Sequence, residues 1–263
     1  MIKDIEGLLN KVCNEIKQQT DIAVIGLSGG ADSTLVSILC VKALGKENVY
    51  GIHMPYDEID YTTFNTRSNK LANTLGIKHY PIGIGLAVNI LTGLIQTKIG
   101  IISKLNKGNM RSRARMIVLY TVCCQIAQQS NKKVRVVGTG NLSEDYIGFD
   151  TKGGDALTDF FPIGTLVKSE VYQLLNYFRD QKIIDESLID RVPSAGLWDG
   201  QTDVGELGYS YDQMESHVLH QMKGGKENEE DPISQFVWKR HITNKHKHEA
   251  AYVVDLREFC EDI

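Results

Sequence analysis

No C-x-x-C pair occurs among the five cysteines of this 263-residue chain, Cys13, Cys40, Cys123, Cys124 and Cys260. Their number is odd and most stand in apolar helical surroundings, which excludes a disulfide framework and predicts reduced, buried thiols in a cytoplasmic protein. The opening MIKDIEGLLNKVCNEIKQQ has charges every few residues and no apolar core, so it reads as an amphipathic helix rather than a targeting segment. An excess of basic charge is missing too. The formal net charge is −4 and the pI near 6.0, which counts against a nucleic-acid partner. One stretch, His79 to Thr97, lacks any formally charged residue over about the length of a membrane span. Pro81, Gly83, Gly85, Asn89, Gly93 and Gln96 interrupt it, so a strand and a broken or interfacial helix are expected, and no membrane association. Internal repeats and an interdomain linker are absent. With 42% hydrophobic and 24% charged residues, the expectation is one domain over residues 1–263.

What is present is alternation. Short apolar runs at Ile22 to Leu27, Val49 to Met54, Ile77 to Ile82 and Val134 to Val137 read as strands. Helical patterns lie between and after them, at Leu35 to Leu44, Phe64 to Leu75 and about Asn109 to Gln129. Such βαβ alternation predicts a doubly wound α/β fold, a parallel sheet flanked by helices in a Rossmann-like three-layer sandwich. Ligands of such sheets sit beyond the carboxyl ends of the strands.

The first of those ends carries the most informative residues. Ile22 to Leu27 runs into Ser28-Gly29-Gly30-Ala31-Asp32-Ser33, which opens an amphipathic helix. Paired glycines at a helix start let a phosphate approach unpaired backbone N–H groups. The Lys of the G-x-x-x-x-G-K-[ST] loop is missing, and so is a third glycine spaced for a dinucleotide fingerprint. Asp32 would repel a phosphate, and a bridging Mg²⁺ removes the conflict. Read alone, the turn is equally an ordinary N-capped helix start.

Later strand ends add candidates. Met54-Pro55-Tyr56 offers a ring for base stacking, although a loop tyrosine more often packs. In Gly138-Thr139-Gly140-Asn141-Leu142-Ser143-Glu144, Thr139 can meet a nucleotide and Glu144 can add a second carboxylate at the metal; capping by Asn141 or Ser143 is the plain alternative. Arg111, Arg113 and Arg115 open the long helix in divergent directions, one free to reach a ligand while another forms a salt bridge. Lys168 starts a helix running to about Arg179, at the wrong end of the dipole, which suggests a use on phosphate. The stretch Arg191 to Asp203 combines turn signals with Trp198. Lys223 to Asp231 is polar, glycine-bearing and expected to be a mobile loop. The tail cluster His241, Lys245, His246, Lys247 and His248 suits an anionic ligand or a partner subunit better than a metal.

The turn Ser28 to Ser33 resembles the S-G-G-x-D-S loop of the ATP pyrophosphatases. Taken with MPY, GNMRSRARM, GTGNLSED, TKGGD, DFFPIGTLVKSEV, PSAGLWDGQTD and WKRHITNKHK in one order, the chain resembles the ammonia-dependent NAD⁺ synthetases over nearly its whole length. The resemblance implies a homodimeric ligase that adenylates the nicotinate carboxylate of deamido-NAD⁺ with ATP and displaces AMP with ammonia. It assigns ATP contacts to Gly26, Leu27, Ser28, Gly29, Gly30, Ala31, Asp32, Ser33, Thr139, Lys168 and Ser194, and Mg²⁺ to Asp32 and Glu144. Deamido-NAD⁺ falls to Arg113, Lys152, Asp159, His246 and Lys247, with no covalent nucleophile. Ser194 stands where threonine is usual, Ser112 where alanine is, and Glu58 to Asn69 lacks an expected D-A pair. His248 and Ala251 stand where arginine and proline are commoner. No glutaminase domain is expected, so ammonia comes from solution or a separate partner. The competing readings are a tRNA-modifying relative of the same loop, or a nucleotide-binding protein without catalysis.

Overall fold

The computed structural model describes residues 1–56, 58–190, 192–194, 196–198 and 200–259, with the side chains of 58–66 and 258 left out of that description. Arg191, Ala195, Asp199 and Cys260 therefore lie outside the described residues, as do most side chains of the Glu58 to Asn69 segment.

The chain starts with α1 (Ile5–Gln19), whose N-cap Asp4 accepts from the Gly7 N–H. It continues through β1 (Ile22–Gly26), α2 (Ala31–Leu44), β2 (Val49–His53), α3 (Glu58–Leu75), β3 (Lys78–Pro81), α4 (Gly85–Ile99), α5 (Lys104–Ser130) and β4 (Val134–Val137). Among the described residues the strands form one parallel sheet in the order β3-β2-β1-β4, with Ile25 opposite Gly51 on one side and Val137 on the other. The strand periodicity of two divides the core. Ala23 and Ile25 pack with α1, α2 and α3, while Ile22 and Val24 pack with α4 and α5. The chain thus winds to both faces, and its direction along the sheet reverses between β1 and β4. In such sheets that reversal opens a crevice at the strand ends.

The remaining helices are α6 (Leu142–Tyr146), α7 (Lys168–Asp180), α8 (Asp203–Leu207), α9 (Tyr211–Met222) and α10 (Pro232–Asn244). Val171, Leu174 and Phe178 of α7 join the α1/α2 layer. A third core of Leu142, Ile147, Leu207, Met214, Val218 and Val237 holds α6, α8, α9 and α10 together. Glu215 ties this group to α7 by accepting from Ser143 Oγ, Ser169 N and Ser169 Oγ.

Several expectations change. The helix α2 is not amphipathic: Leu35, Val36, Ile38, Leu39 and Cys40 are all buried, because the helix is covered by the sheet, α1 and α7. The long helix begins five residues early, at Lys104, where the Ser103 hydroxyl caps the Asn106 N–H. The three arginines consequently sit inside it rather than at its start. The helix in the uncharged stretch is unbroken, with open space where Gly93 would carry a side chain. Of the described thiols, Cys40 and Cys123 are buried, Cys13 is half-buried and Cys124 is exposed. No described helix is long and apolar enough to cross a membrane. Residues 223–231 are mostly exposed, yet tied by Asn228 N–H donating to Ser234 Oγ.

Candidate functional site

The cleft opens where β1 and β4 end. Its walls come from the turn after β1, the segment after β4, the start of α7, the loop around residues 149–158, and residues 192–197. Gly29 takes the turn at φ 72°, a conformation glycine tolerates. The Ser28 hydroxyl accepts from the Gly30 N–H at 3.2 Å and lies 3.1 Å from Ser33 Oγ. The Ser33 and Thr34 hydroxyls donate to Gly30 O. The two serines therefore brace the turn as well as facing the cleft.

Three separated stretches meet at one point. Lys168 Nζ lies 2.6 Å from Asp32 Oδ2 and 2.8 Å from Glu144 Oε1. Asp32 rides on the first turn of α2, Glu144 on α6 beyond β4, and Lys168 begins α7. The other Asp32 oxygen accepts from Asn141 Nδ2 at 2.9 Å. Two more groups stand behind. The Tyr211 hydroxyl donates to Asp203 Oδ2 at 2.9 Å, and Lys168 Nζ is 5.5 Å from the centre of the Tyr211 ring. Burial pushes the Glu144 carboxyl up to about 8; Lys168 draws it down and Asp32 adds to the rise. Burial works against the charge on Lys168, but Asp32 and Glu144 outweigh it and hold the ammonium above its usual range. The sequence assigned Mg²⁺ to Asp32 and Glu144; the fold does bring these two carboxylates together, with the Lys168 ammonium between them.

Gly26, Leu27, Ser28, Gly30, Ala31, Asp32, Ser33, Thr139, Glu144, Lys168 and Ser194 all line the cleft, whereas Gly29 does not. The Ser194 hydroxyl accepts from the Gly196 N–H at 3.1 Å, which shapes the loop before Leu197.

Arg113, Lys152, His246 and Lys247 gather beside the cleft rather than in its lining. Arg113 Nε donates to Lys152 O at 3.2 Å, and Lys152 Nζ donates to His246 O at 2.6 Å. Lys247 Nζ donates to Gly148 O and Asp150 O. The tail is thus fastened to residues 148–152. Asp159 is not part of this group. Its Oδ2 accepts from Val136 N at 2.7 Å and so secures β4. Arg111 and Arg115 also reach backbone carbonyls, of Leu197 and Met54. Tyr56 stands outside the cleft: the Arg111 guanidinium lies 3.3 Å from the centre of its ring, and its hydroxyl donates to Asn89. Trp198 packs under Lys104, 4.7 Å from the ring centre.

A family model described as NAD synthase matches residues 1–251. The chain belongs to the NAD synthase family. An NH(3)-dependent NAD(+) synthetase of Methanococcus aeolicus is 40% identical over 232 residues, 86% of either chain. One from Methanosarcina mazei is 36% identical across 96% of this chain and 99% of its own. Among solved structures, NMN synthetase from Francisella tularensis superposes with TM-score 0.78 at 29% identity, covering 97% of this chain and all of that one. The NH3-dependent NAD synthetase from Campylobacter jejuni gives 0.73 at 26%, over 96% of this chain and all of its own.

Within this NAD synthase, sequence reading missed a second acidic group. Asp145 and Asp150 line the cleft, and His248 Nε2 lies 2.5 Å from Asp150 Oδ2. Burial, then the Asp150 charge, pushes the Asp145 carboxyl up to about 7. Asp145 was visible only as the end of GTGNLSED, and nothing local marked Asp150 as the partner of a tail histidine. Asp155, which accepts from Ser112 Oγ and Thr151 N, was likewise hidden inside TKGGD.

Proposed function

We propose that this chain catalyses ATP-dependent amidation of deamido-NAD⁺ by ammonia, giving NAD⁺, AMP and pyrophosphate through an adenylated carboxylate. The observation carrying this reading is the meeting of Asp32, Glu144 and Lys168 at the mouth of a glycine turn. In-line attack on the α phosphate requires the anionic groups to be held together and the growing charge to be neutralised. The turn Gly26 to Ser33 supplies backbone N–H groups to the phosphates, with hydroxyls from Thr139 and Ser194 and the ammonium of Lys168.

The donor set suits Mg²⁺, since two hard carboxylate oxygens, Asp32 Oδ2 and Glu144 Oε1, are brought together on the Lys168 ammonium, at 2.6 and 2.8 Å, and the ion would take them as Lys168 turns from them to phosphate. Three carboxylates, Asp32, Glu144 and Asp203, stand there against one lysine, so the site carries surplus negative charge. When bound, Mg²⁺ would neutralise phosphate oxygens and the leaving pyrophosphate. Arg113, Lys152, His246 and Lys247 are assigned to the dinucleotide beside the cleft, and Asp159 is assigned to it through Oδ1.

The same reading includes a homodimer in the cytoplasm, with neither nucleic acid nor membrane as partner. Support for a second copy comes from α4, where Leu86, Ile90, Leu91, Leu94 and Ile95 are all exposed on one helix, the kind of apolar grouping found at interaction sites.

The test is incubation of the purified chain with ATP, Mg²⁺, ammonium and deamido-NAD⁺. NAD⁺ and AMP in equal amounts are expected. AMP without NAD⁺, or no turnover at all, overturns the reading. A parallel reaction with nicotinate mononucleotide reports whether the shorter acid is accepted.

A further inference from the structure

We propose that Asn141 is a positioning residue that sets the two metal-holding carboxylates against each other. This rests on the assignment of Asp32 and Glu144 to the divalent cation. Asn141 is fully buried, at the carboxyl end of β4, and serves as the N-cap of α6. Its side-chain oxygen accepts from the Glu144 N–H at 3.2 Å, while its Nδ2 donates to Asp32 Oδ1 at 2.9 Å. One planar amide therefore spans from the backbone of one carboxylate residue to the side chain of the other, across 109 residues of sequence.

The orientation of the amide follows from its partners. A backbone N–H only donates and a carboxylate only accepts, so the oxygen must face Glu144 and the nitrogen Asp32. Capping alone asks for less. Serine, threonine, aspartate and glycine all serve at an N-cap, because a short helix start needs at most one acceptor. Of these, none can cap and also donate to a carboxylate at this reach, and aspartate would set a like charge against Asp32.

The second bond has a geometric consequence. With Oδ1 anchored, rotation of the Asp32 carboxylate is blocked and Oδ2 stays turned toward Glu144 Oε1. Both oxygens meet Lys168 Nζ, at 2.6 and 2.8 Å. Lys168 holds Oδ2 here; once a cation displaces the ammonium, the Asn141 bond is what keeps the carboxylate from turning, so that the paired oxygens still present one pocket.

Asn141→Ser keeps a capping oxygen and removes the amide donor; Asn141→Gly removes both side-chain groups at a cap position where glycine is tolerated. Binding of Mn²⁺ to the full-length protein with a non-hydrolysable ATP analogue is followed by the loss of free-ion paramagnetic signal, alongside thermal unfolding. For either variant that folds, half-saturating Mn²⁺ rises at least tenfold and KM for ATP rises with it. KM for deamido-NAD⁺ stays within twofold of wild type. A lowered unfolding midpoint with unchanged Mn²⁺ binding means capping alone and overturns the proposal. Asp32→Asn is the control. If it binds Mn²⁺ like wild type, the metal assignment itself is wrong; if it loses the ion while Asn141→Ser does not, only the role of Asn141 falls.

Discussion

Lys168 Nζ reaches Asp32 Oδ2 at 2.6 Å although 136 residues separate the two in sequence. The contact exists because β1 and β4 are neighbours, Phe160 runs parallel beside Val137 of β4, and α7, which follows, packs against α2. Lys168→Met would leave Asp32 and Glu144 facing each other in a buried place. Removing one partner of a buried ion pair costs about 3–5 kcal/mol when burial is complete, and less here, where both carboxylates are partly open to the cleft. Activity is expected to fall by about 10²–10³, the range for losing one preorganised charge stabiliser. Thermal unfolding with and without Mn²⁺ adds a second readout. The ion should stabilise the variant more than wild type, because no ammonium then competes for the two carboxylates. Equal stabilisation of both proteins would separate Lys168 from the cation's place.

Gly138 tests how tightly the cleft wall is built. A Cβ there would lie 2.5 Å from both Phe161 ring carbons and from Thr158 Oγ1, while the Gly138 N–H donates to Phe160 O. The φ of this glycine is ordinary, so the obstacle is contact rather than backbone conformation. Gly138→Ala is expected to destabilise by about 1–3 kcal/mol, as overpacking does. It should also weaken ATP binding, because Thr139 follows directly. Calorimetry and the KM for ATP check the two effects, and an unchanged unfolding midpoint contradicts the packing argument.

Strands β1 and β4 were readable because each is a short, largely β-branched run with a glycine turn after it, and Ile22 to Gly26 and Val134 to Val137 needed no tertiary information. The glycine turn was readable because Asp32 beside a phosphate site makes no sense without a cation. The burial of most of α2 was not read, although its evenly spread apolar residues are what a helix covered by other elements needs; the exposed Lys42 and the polar start made it look amphipathic. Lys168 was flagged by its conflict with the helix dipole, yet its carboxylate partners come from distant chain. Asn141 was read as a cap and nothing more, because its donor bond reaches back to α2. Asp159 was assigned to substrate by resemblance, while in the fold one of its oxygens holds Val136.

Nitrogen choice separates this chain from a glutamine-using arrangement. Ammonium is expected to support saturable NAD⁺ formation and glutamine alone to give none. Free ammonia is the nucleophile, so at fixed total ammonium its apparent KM should fall as pH rises toward deprotonation of the ammonium ion. Efficient turnover on glutamine by the purified chain would reveal a nitrogen-donor site that the cleft residues do not account for.

The apolar face of α4 predicts a specific loss. Leu86, Ile90 and Leu94 recur every four residues and share one side of the helix. If the proposed dimer forms through this face, wild type should sediment as a dimer and Ile90→Lys with Leu94→Lys as a monomer at the same concentration. Little change in monomer folding is expected, as both side chains are exposed. A variant that still dimerises would move the interface elsewhere.

The tail latch gives a pH signature. His248 Nε2 lies 2.5 Å from Asp150 Oδ2, and the Asp150 side chain is 5% exposed. The bond to Asp150 raises the His248 pKa; burial opposes the rise, and the charges of Asp150 and Asp145 favour it against Lys247. A folded-state pKa above the unfolded value of about 6.5 means that the folded form binds the proton more tightly. The stabilisation from the pair is then complete below about pH 6.5 and disappears as pH rises through the higher folded-state value. His248 is itself 31% exposed, so solvent screening keeps the contribution near 1 kcal/mol, about 2–4 °C in a chain of this size. His248→Gln should therefore unfold a few degrees below wild type at pH 6 and approach it at pH 8.5. A gap that stays constant or widens with pH would show that His248 fastens the tail through packing rather than through its charge.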